Sequence, residues 1–256
     1  MRRTIRLLLA YGKRSFLAWT AFRSFMFTIV INQAVTPLLG LAVWSAALPD
    51  QAGIPEYFLA LLVVQLATAS QEYYSVSMHI YDGGLNDDLL KPHPFVFSPI
   101  GECLAARAWH LLAGLPIVAV VMIVSGISFS GRDILLAIPA LILAAVLHFL
   151  FVYVLALSAL WGQQAGGVTD FGSVMIFLLG GVAAPVMLLP GSLQPIGEAL
   201  PFRAMAGFPA EIASGTLSGQ QAAVGYGYQV FWLAVFIPVA SVVWRLGVRR
   251  YAAIGG

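Results

Sequence analysis

Long apolar stretches alternate with short polar segments along most of this 256-residue chain. A membrane-spanning helix needs about 20 predominantly apolar residues, and the apolar stretches are close to that length. They predict transmembrane helices over Phe22–Trp44, Tyr57–His79, Ala108–Phe129, Leu135–Trp161, Phe171–Leu189 and Tyr228–Leu246. The pattern therefore predicts an all-α polytopic membrane protein, with six transmembrane helices in a single transmembrane domain over residues 1–256.

The N-terminal residues 1–21 differ from the predicted spans because apolar and basic side chains are interleaved. The apolar residues are Ile5, Leu8, Leu9, Phe16 and Trp19, and the basic ones are Arg2, Arg3, Arg6, Lys13 and Arg14. This pattern favours an amphipathic helix at the membrane surface, with its basic side chains facing anionic lipid head groups. A basic tail that only orients the chain is compatible with the same residues.

Prolines interrupt the apolar stretch that precedes the last predicted span. They are Pro185, Pro190, Pro195, Pro201 and Pro209. Proline removes a backbone donor and clashes with the preceding helical turn, so a straight span cannot contain this series. We expect an extracytoplasmic helical region over 190–215, built of short re-entrant or interfacial helices. An ordinary extracellular loop is the alternative.

The composition and the basic residues place this pattern in a membrane. Hydrophobic residues make up 60% of the chain and charged residues 9%, against about 25% charged in soluble domains. Of the 13 Lys and Arg, all but Arg132 and Arg203 fall in segments predicted on one side. The positive-inside rule makes that side cytoplasmic, so both termini and the loop over 80–107 are predicted to be cytoplasmic.

Polar residues recur inside two of the predicted spans. In the second span they are Gln65, Thr68, Glu72, Ser75 and His79, spaced to share one helix face; Asn32 lies in a weaker stripe of the first span. A charge at the bilayer centre costs about 2.5–3.5 kcal/mol on insertion scales, so Glu72 should face the protein interior or a water-filled path. We interpret these residues as candidates for a translocation path; interhelical hydrogen bonding is the competing explanation.

Motifs for catalysis or for nucleotide binding do not occur in the sequence. There is no phosphate-binding loop, no His-Glu-x-x-His pair and no nucleophile elbow, and the histidines lack zinc-site spacing. His148 and Ser158 are ten residues apart on one predicted helix, too far apart to form a catalytic pair. We therefore predict no catalytic residue, no metal, no cofactor and no nucleic-acid partner.

The loop over 80–107 concentrates charge between two apolar spans. Its charged residues are Asp82, Asp87, Asp88, Lys91, Glu102 and Arg107. The segment Gly84-Leu-Asn-Asp-Asp-Leu-Leu-Lys-Pro-His-Pro-Phe resembles ABC-2 type permeases, in particular the six-span "ABC-2 family transporter protein" group. The segments 190–203 and 208–215 and the C-terminal end resemble the same group, so the resemblance covers nearly the whole chain.

This resemblance implies the permease subunit of an ATP-binding cassette exporter in the inner (plasma) membrane of a bacterium. Such permeases pair with an identical or related second permease chain and dock cytosolic ATP-binding cassette ATPase subunits, which bind the ATP. The loop between the second and third spans would couple to the ATPase through Leu85, Asp87, Asp88, Leu89, Leu90, Lys91 and Pro92. The doublet Asp87-Asp88 makes this version unusually acidic.

Two other functions fit a charge-poor membrane protein. An ion-gradient-driven secondary transporter could use Glu72 as a proton carrier, although no inverted repeat of broken segments accompanies it. A polytopic membrane enzyme would need the catalytic groups that the sequence lacks. The permease is the function that the sequence favours.

Overall fold

The computed structural model describes residues 2–69, 71–162 and 164–251, with side chains from Thr4 onward. The protein is 80% helical, and no β-strand occurs in the described ranges. The α-helices are α1 (Arg2–Ala21), α2 (Arg23–Ala47), α3 (Ile54–Ala67), α4 (His79–Tyr81), α5 (Leu85–Leu89), α6 (Phe97–Ser125), α7 (Gly131–Ala156), α8 (Ala165–Leu179), α9 (Gln194–Ala199), α10 (Pro201–Met205), α11 (Gly207–Ala213) and α12 (Gly219–Val248). A π-helix covers Tyr73–Met78, and 3₁₀ turns cover Leu157–Leu160 and Val186–Leu188.

Four helices in the described ranges are long and apolar enough to cross a membrane. They are α2, α6, α12, and α7 together with the 3₁₀ turn that continues it. The predicted second and fifth spans instead contain shorter apolar helices, α3 with 14 residues and α8 with 15. The all-α membrane architecture is thus confirmed, and the two short helices are where the structure departs from six uniform spans.

The predicted second span breaks after α3. Thr68 donates both its backbone N–H (2.9 Å) and its hydroxyl (2.8 Å) to the Val64 carbonyl, and the helix ends there. The chain becomes helical again only near the π-helix, with Gln71 N donating to Glu72 Oε2 (2.8 Å). A threonine hydroxyl that bonds to the carbonyl four residues back commonly bends a helix. The prediction of one continuous helix over Tyr57–His79, with a single polar face, is therefore wrong.

The third and fifth spans are displaced from their predicted bounds. Helix α6 begins at Phe97, so the last part of the predicted loop is helical; Pro99 fits because the first turn does not need its missing N–H. Helix α8 ends at Leu179, two residues before Gly181, which adopts a φ of +90° and lies so close to Tyr57 that a Cβ would be 2.4 Å from the hydroxyl. Hydropathy alone detects neither the helical residues before the apolar stretch of α6 nor this close approach.

At each end of the bundle lie segments that the charge pattern assigns to the same side of the membrane. At one end Tyr81 OH donates to the Gly162 carbonyl (3.0 Å), and Tyr251 packs with the buried cluster that contains Phe95. At the other end Trp44 Nε1 donates to the Ala183 carbonyl (2.9 Å). The short helices α9, α10 and α11 lie at this second end, within the predicted helical region over 190–215.

Helix α1 packs closely against α6. Backbone meets backbone at this crossing, since a Cβ on Gly101 would lie 2.5 Å from Tyr11 Cβ and 3.0 Å from Gly12 N. Space for it could come only from moving α1 away from α6.

Substituting Gly101→Ala should therefore destabilise the protein by about 1–3 kcal/mol, the usual cost of overpacking. The Tm of the purified protein measures this loss. Gly167→Ala in α8 is the control, because a Cβ there meets nothing within 4 Å. Equal Tm values for the two variants would contradict the close crossing.

Candidate coupling segment and translocation cavity

The loop between α4 and α6 is held by a buried carboxylate. We call residues 82–96 the coupling segment. Asp88 is only 7% exposed; its Oδ2 accepts a hydrogen bond from His79 Nε2 (2.7 Å), and its Oδ1 accepts one from Lys91 Nζ. The hydrogen bond to Asp88 raises the pKa of Lys91. Leu85 is completely buried beside Ile80, so one face of α5 is fixed to the body of the protein.

The opposite face of the coupling segment is exposed. The seven residues predicted to couple to an ATPase therefore divide into two sets. Leu85 and Asp88 are buried, whereas Asp87, Leu89, Leu90, Lys91 and Pro92 are exposed, Leu90 to 86%. We call these five residues the exposed tip.

The coupling segment contacts three other parts of the protein. The Tyr11 hydroxyl on α1 lies 3.1 Å from His93 Nε2. The Phe95 ring stacks on Trp244 of α12 with centroids 5.1 Å apart, and it also stacks on His79 at 6.2 Å. The coupling segment therefore contacts α1, α12 and, through His79, the end of the π-helix.

Replacing Asp88 should loosen this segment. Asp88→Ala removes the buried carboxylate that accepts both hydrogen bonds, and each lost bond costs about 0.5–1.5 kcal/mol. Faster hydrogen exchange at the amides of α5 would report this change. Asp87→Ala removes a neighbouring exposed carboxylate and should leave the exchange rates unchanged; similar rates in both variants would contradict the structural role of Asp88.

A cavity of about 430 Å³ lies where α2, α3, α7 and α8 meet. We call it the polar cavity. Its lining residues are Ile29, Asn32, Gln33, Thr36, Gln65, Thr68, His148, Ser173, Ile176, Phe177, Val182 and Ala206. Helices α2 and α3 both line the cavity, and a hydrogen bond joins them there. Gln33 Nε2 on α2 donates to the Gln65 carbonyl on α3 (2.8 Å). The break after Ala67 therefore lies directly beside this cavity.

The structure brings together half of the predicted path residues. Asn32, Gln65 and Thr68 line the polar cavity, whereas Glu72, Ser75 and His79 are not among its lining residues. They follow the break in α3, so they do not continue the helix face on which the prediction placed them. His79 belongs instead to the Asp88 network.

Glu72 is completely buried beyond the break. Cys103 Sγ lies 3.6 Å from its Oε1, and Gln71 N donates to its Oε2. Arg107 Nε donates to the Ala69 carbonyl (3.4 Å) in the same region. A buried carboxylate with these neighbours holds the chain together at the break between α3 and the π-helix.

At the opposite end of the bundle a buried ion pair joins two short helices. Arg203 on α10 donates through Nη2 (2.5 Å) and Nε (3.1 Å) to Glu211 on α11. The side chains are 11% and 5% exposed, and the Arg203 guanidinium lies 5.9 Å from the centre of the Phe208 ring. Nearby, Tyr57 OH donates to the Gly181 carbonyl (2.8 Å), which ties this end to α3.

Metal binding has no support in the residues that the structure describes, since no group of three or more His, Cys, Asp or Glu comes together there.

The sequence model of the "ABC-2 family transporter protein" family matches residues 17–255. The chain belongs to this family. No curated protein matches the chain. Family membership makes it a membrane protein of the transporter class and supports a permease, a transport subunit rather than an enzyme.

Several residues of this ABC-2 family member have roles that the sequence reading missed. Gln33 and Ser173 line the polar cavity, and so does His148, which the sequence analysis considered only as half of a catalytic pair. Arg203 and Glu211 attracted no functional interpretation. Only Gln33 carried a signal, as the polar neighbour of Asn32 in an apolar span.

Proposed function

We propose that this chain is the permease subunit of an ATP-binding cassette exporter in the inner membrane of a bacterium. The observation that carries the proposal is the coupling segment, whose buried face is fixed by Asp88 and whose exposed tip offers Leu89 and Leu90 to a partner. Two adjacent exposed leucines beside charged residues suit a protein contact. Cytosolic ATPase subunits, which bind and hydrolyse ATP, are the partners that the family supports.

The orientation follows from charge. The end of the bundle that carries the coupling segment also carries α1 and the C-terminal end of α12, with most of the basic residues of the chain. We place this end in the cytoplasm with both termini, and α1 at the surface of the lipid bilayer. The short helices α9–α11 then lie on the extracytoplasmic side, where Arg203 and Glu211 hold them together.

The polar cavity is the proposed translocation path, and a second permease chain completes it. Around the cavity, α2 and α8 expose apolar side chains, among them Ile31, Val35 and Leu178. Their exposed apolar surface suits a second copy or a related permease as well as lipid.

The proposed mechanism links the exposed tip to the break in α3. ATP binding closes the partner ATPases and draws the two exposed tips together. His79 transmits this movement to the π-helix, and the break after Ala67 lets the π-helix shift relative to α3. The polar cavity beside the break then changes its access, driven by contacts that differ between the two states.

Purification of the tagged chain from its native membrane tests this proposal. An ATP-binding cassette ATPase should copurify in about equal amount, and transport should require ATP. Transport that persists with an ion gradient alone, without any ATPase in the preparation, would contradict the proposal and favour a secondary transporter.

A further inference from the structure

We propose that the polar cavity binds an uncharged amphiphile, with hydroxyl or amide groups at one wall of the cavity and hydrocarbon at the other. This inference rests on the proposed function, and it names the chemical class of the substrate. The cavity volume of about 430 Å³ falls within the range of roughly 300–1,000 Å³ typical of small-molecule sites.

One wall of the polar cavity presents unused hydrogen-bonding groups. The side chains of Asn32, Thr36 and Gln65 form no hydrogen bond within the described part of the chain. His148 Nδ1 is buried and also lacks a partner among the described residues. A buried polar atom normally has a hydrogen-bond partner, so His148 Nδ1 indicates a ligand or water in the cavity. Asn32 is exposed and Thr36 and Gln65 are half-buried, so their side chains are accessible to the same ligand.

The remaining wall is hydrocarbon. Ile29 of α2, Ile176 and Phe177 of α8, and Val182 supply it. A ligand that reaches both walls therefore needs a polar part and an apolar part. Amide, hydroxyl and imidazole groups both donate and accept hydrogen bonds, so the polar part is matched by hydroxyl or amide groups.

The lining that this chain supplies offers no opposite charge to a charged ligand. No Asp, Glu, Lys or Arg is among the lining residues that the structure describes. The buried Glu72 and Arg107 are outside the lining, and Arg107 Nε is directed to the Ala69 carbonyl. A charged ligand would lose its hydration without gaining an opposite charge, which is strongly unfavourable.

Three surfactants with the same octyl chain test the preference: octyl glucoside, octyl sulfate and octyltrimethylammonium. Each is added below its micelle concentration to the purified chain in nanodiscs, and Kd is obtained from the concentration dependence of Tm. Octyl glucoside should bind about tenfold more tightly than either charged probe. Equal or tighter binding of a charged probe would overturn the inference.

Matched variants assign the binding to the polar cavity. The double variant Asn32→Leu/Thr36→Val keeps the number and branching of side-chain heavy atoms and should weaken octyl glucoside binding about fivefold or more. Thr28→Val is the control on the same helix, because Thr28 is exposed and bonds to the Ser24 carbonyl. The Tm without ligand verifies that each variant is folded. Unchanged binding by the double variant would overturn the assignment.

The two proposals can fail separately. The binding assay contains no ATPase, so the preference for octyl glucoside can appear even if no ATPase copurifies, which would overturn only the coupling to an ATPase. Copurification of an ATPase with a chain that shows no such preference would overturn only the ligand class.

Discussion

Leu90→Arg should reduce the amount of copurified ATPase at least about tenfold, a loss of about 1.4 kcal/mol or more in binding free energy. Leu90 is 86% exposed on the tip, and it makes part of the apolar surface that we assign to the ATPase contact. A central apolar contact commonly contributes about 2 kcal/mol or more to an interface, and a buried unpaired guanidinium adds a further cost. ATP-driven transport should fall in parallel.

Two controls separate this effect from a loss of folding. Leu193→Arg places the same substitution on an exposed leucine at the opposite end of the bundle, and ATPase recovery should be unchanged. Leu85→Ala instead truncates a fully buried leucine, so its main effect should be a Tm lower than that of the wild type. A normal ATPase yield with Leu90→Arg would remove the exposed tip from the proposed interface.

Glu211→Ala should destabilise the protein by about 3–5 kcal/mol, because it leaves the Arg203 guanidinium charged, buried and unpaired. For a chain of this size that loss corresponds to a Tm lower by roughly 6–20 °C. Thermal unfolding of the purified protein measures it. Transport should decline as well, since α10 and α11 lose the contact that joins them.

The control for this pair is the exposed carboxylate of Glu198, and Glu198→Ala should leave Tm nearly unchanged. The double variant Arg203→Met/Glu211→Leu should recover most of the lost stability, because an apolar pair can replace a buried ion pair. Additive losses in the double variant would mean that the two side chains do not act as a pair.

The hydrophobic pattern of the sequence was sufficient to predict helices that are formed by long apolar stretches. Helix α2 follows the first predicted span closely, and α12 contains the sixth. The prolines between 185 and 209 mark a region of short helices, and α9 and α10 each have a proline in the first turn, where its missing N–H is not needed. The family resemblance, carried by the segment that begins at Gly84, is confirmed by the match over residues 17–255.

The sequence could not predict features that depend on distant contacts. Asp87 and Asp88 are identical neighbours, yet Asp87 is exposed whereas Asp88 is buried and accepts hydrogen bonds from His79 and Lys91. The Tyr57 hydroxyl donates to the Gly181 carbonyl just beyond α8, and the two residues lie far apart in the sequence. The prediction of one polar face from Gln65 onward assumed a continuous helix. The break after α3 shows that the helix is not continuous.

The central claim is that the exposed tip contacts a cytosolic ATPase. Photo-crosslinking from a photoreactive amino acid at position 90 in intact cells tests it most directly, with the same group at position 193 as the control. The account predicts that mass spectrometry finds an ATP-binding cassette ATPase crosslinked to position 90 and none crosslinked to position 193. The absence of an ATPase at position 90, or equal crosslinking at both positions, would contradict it.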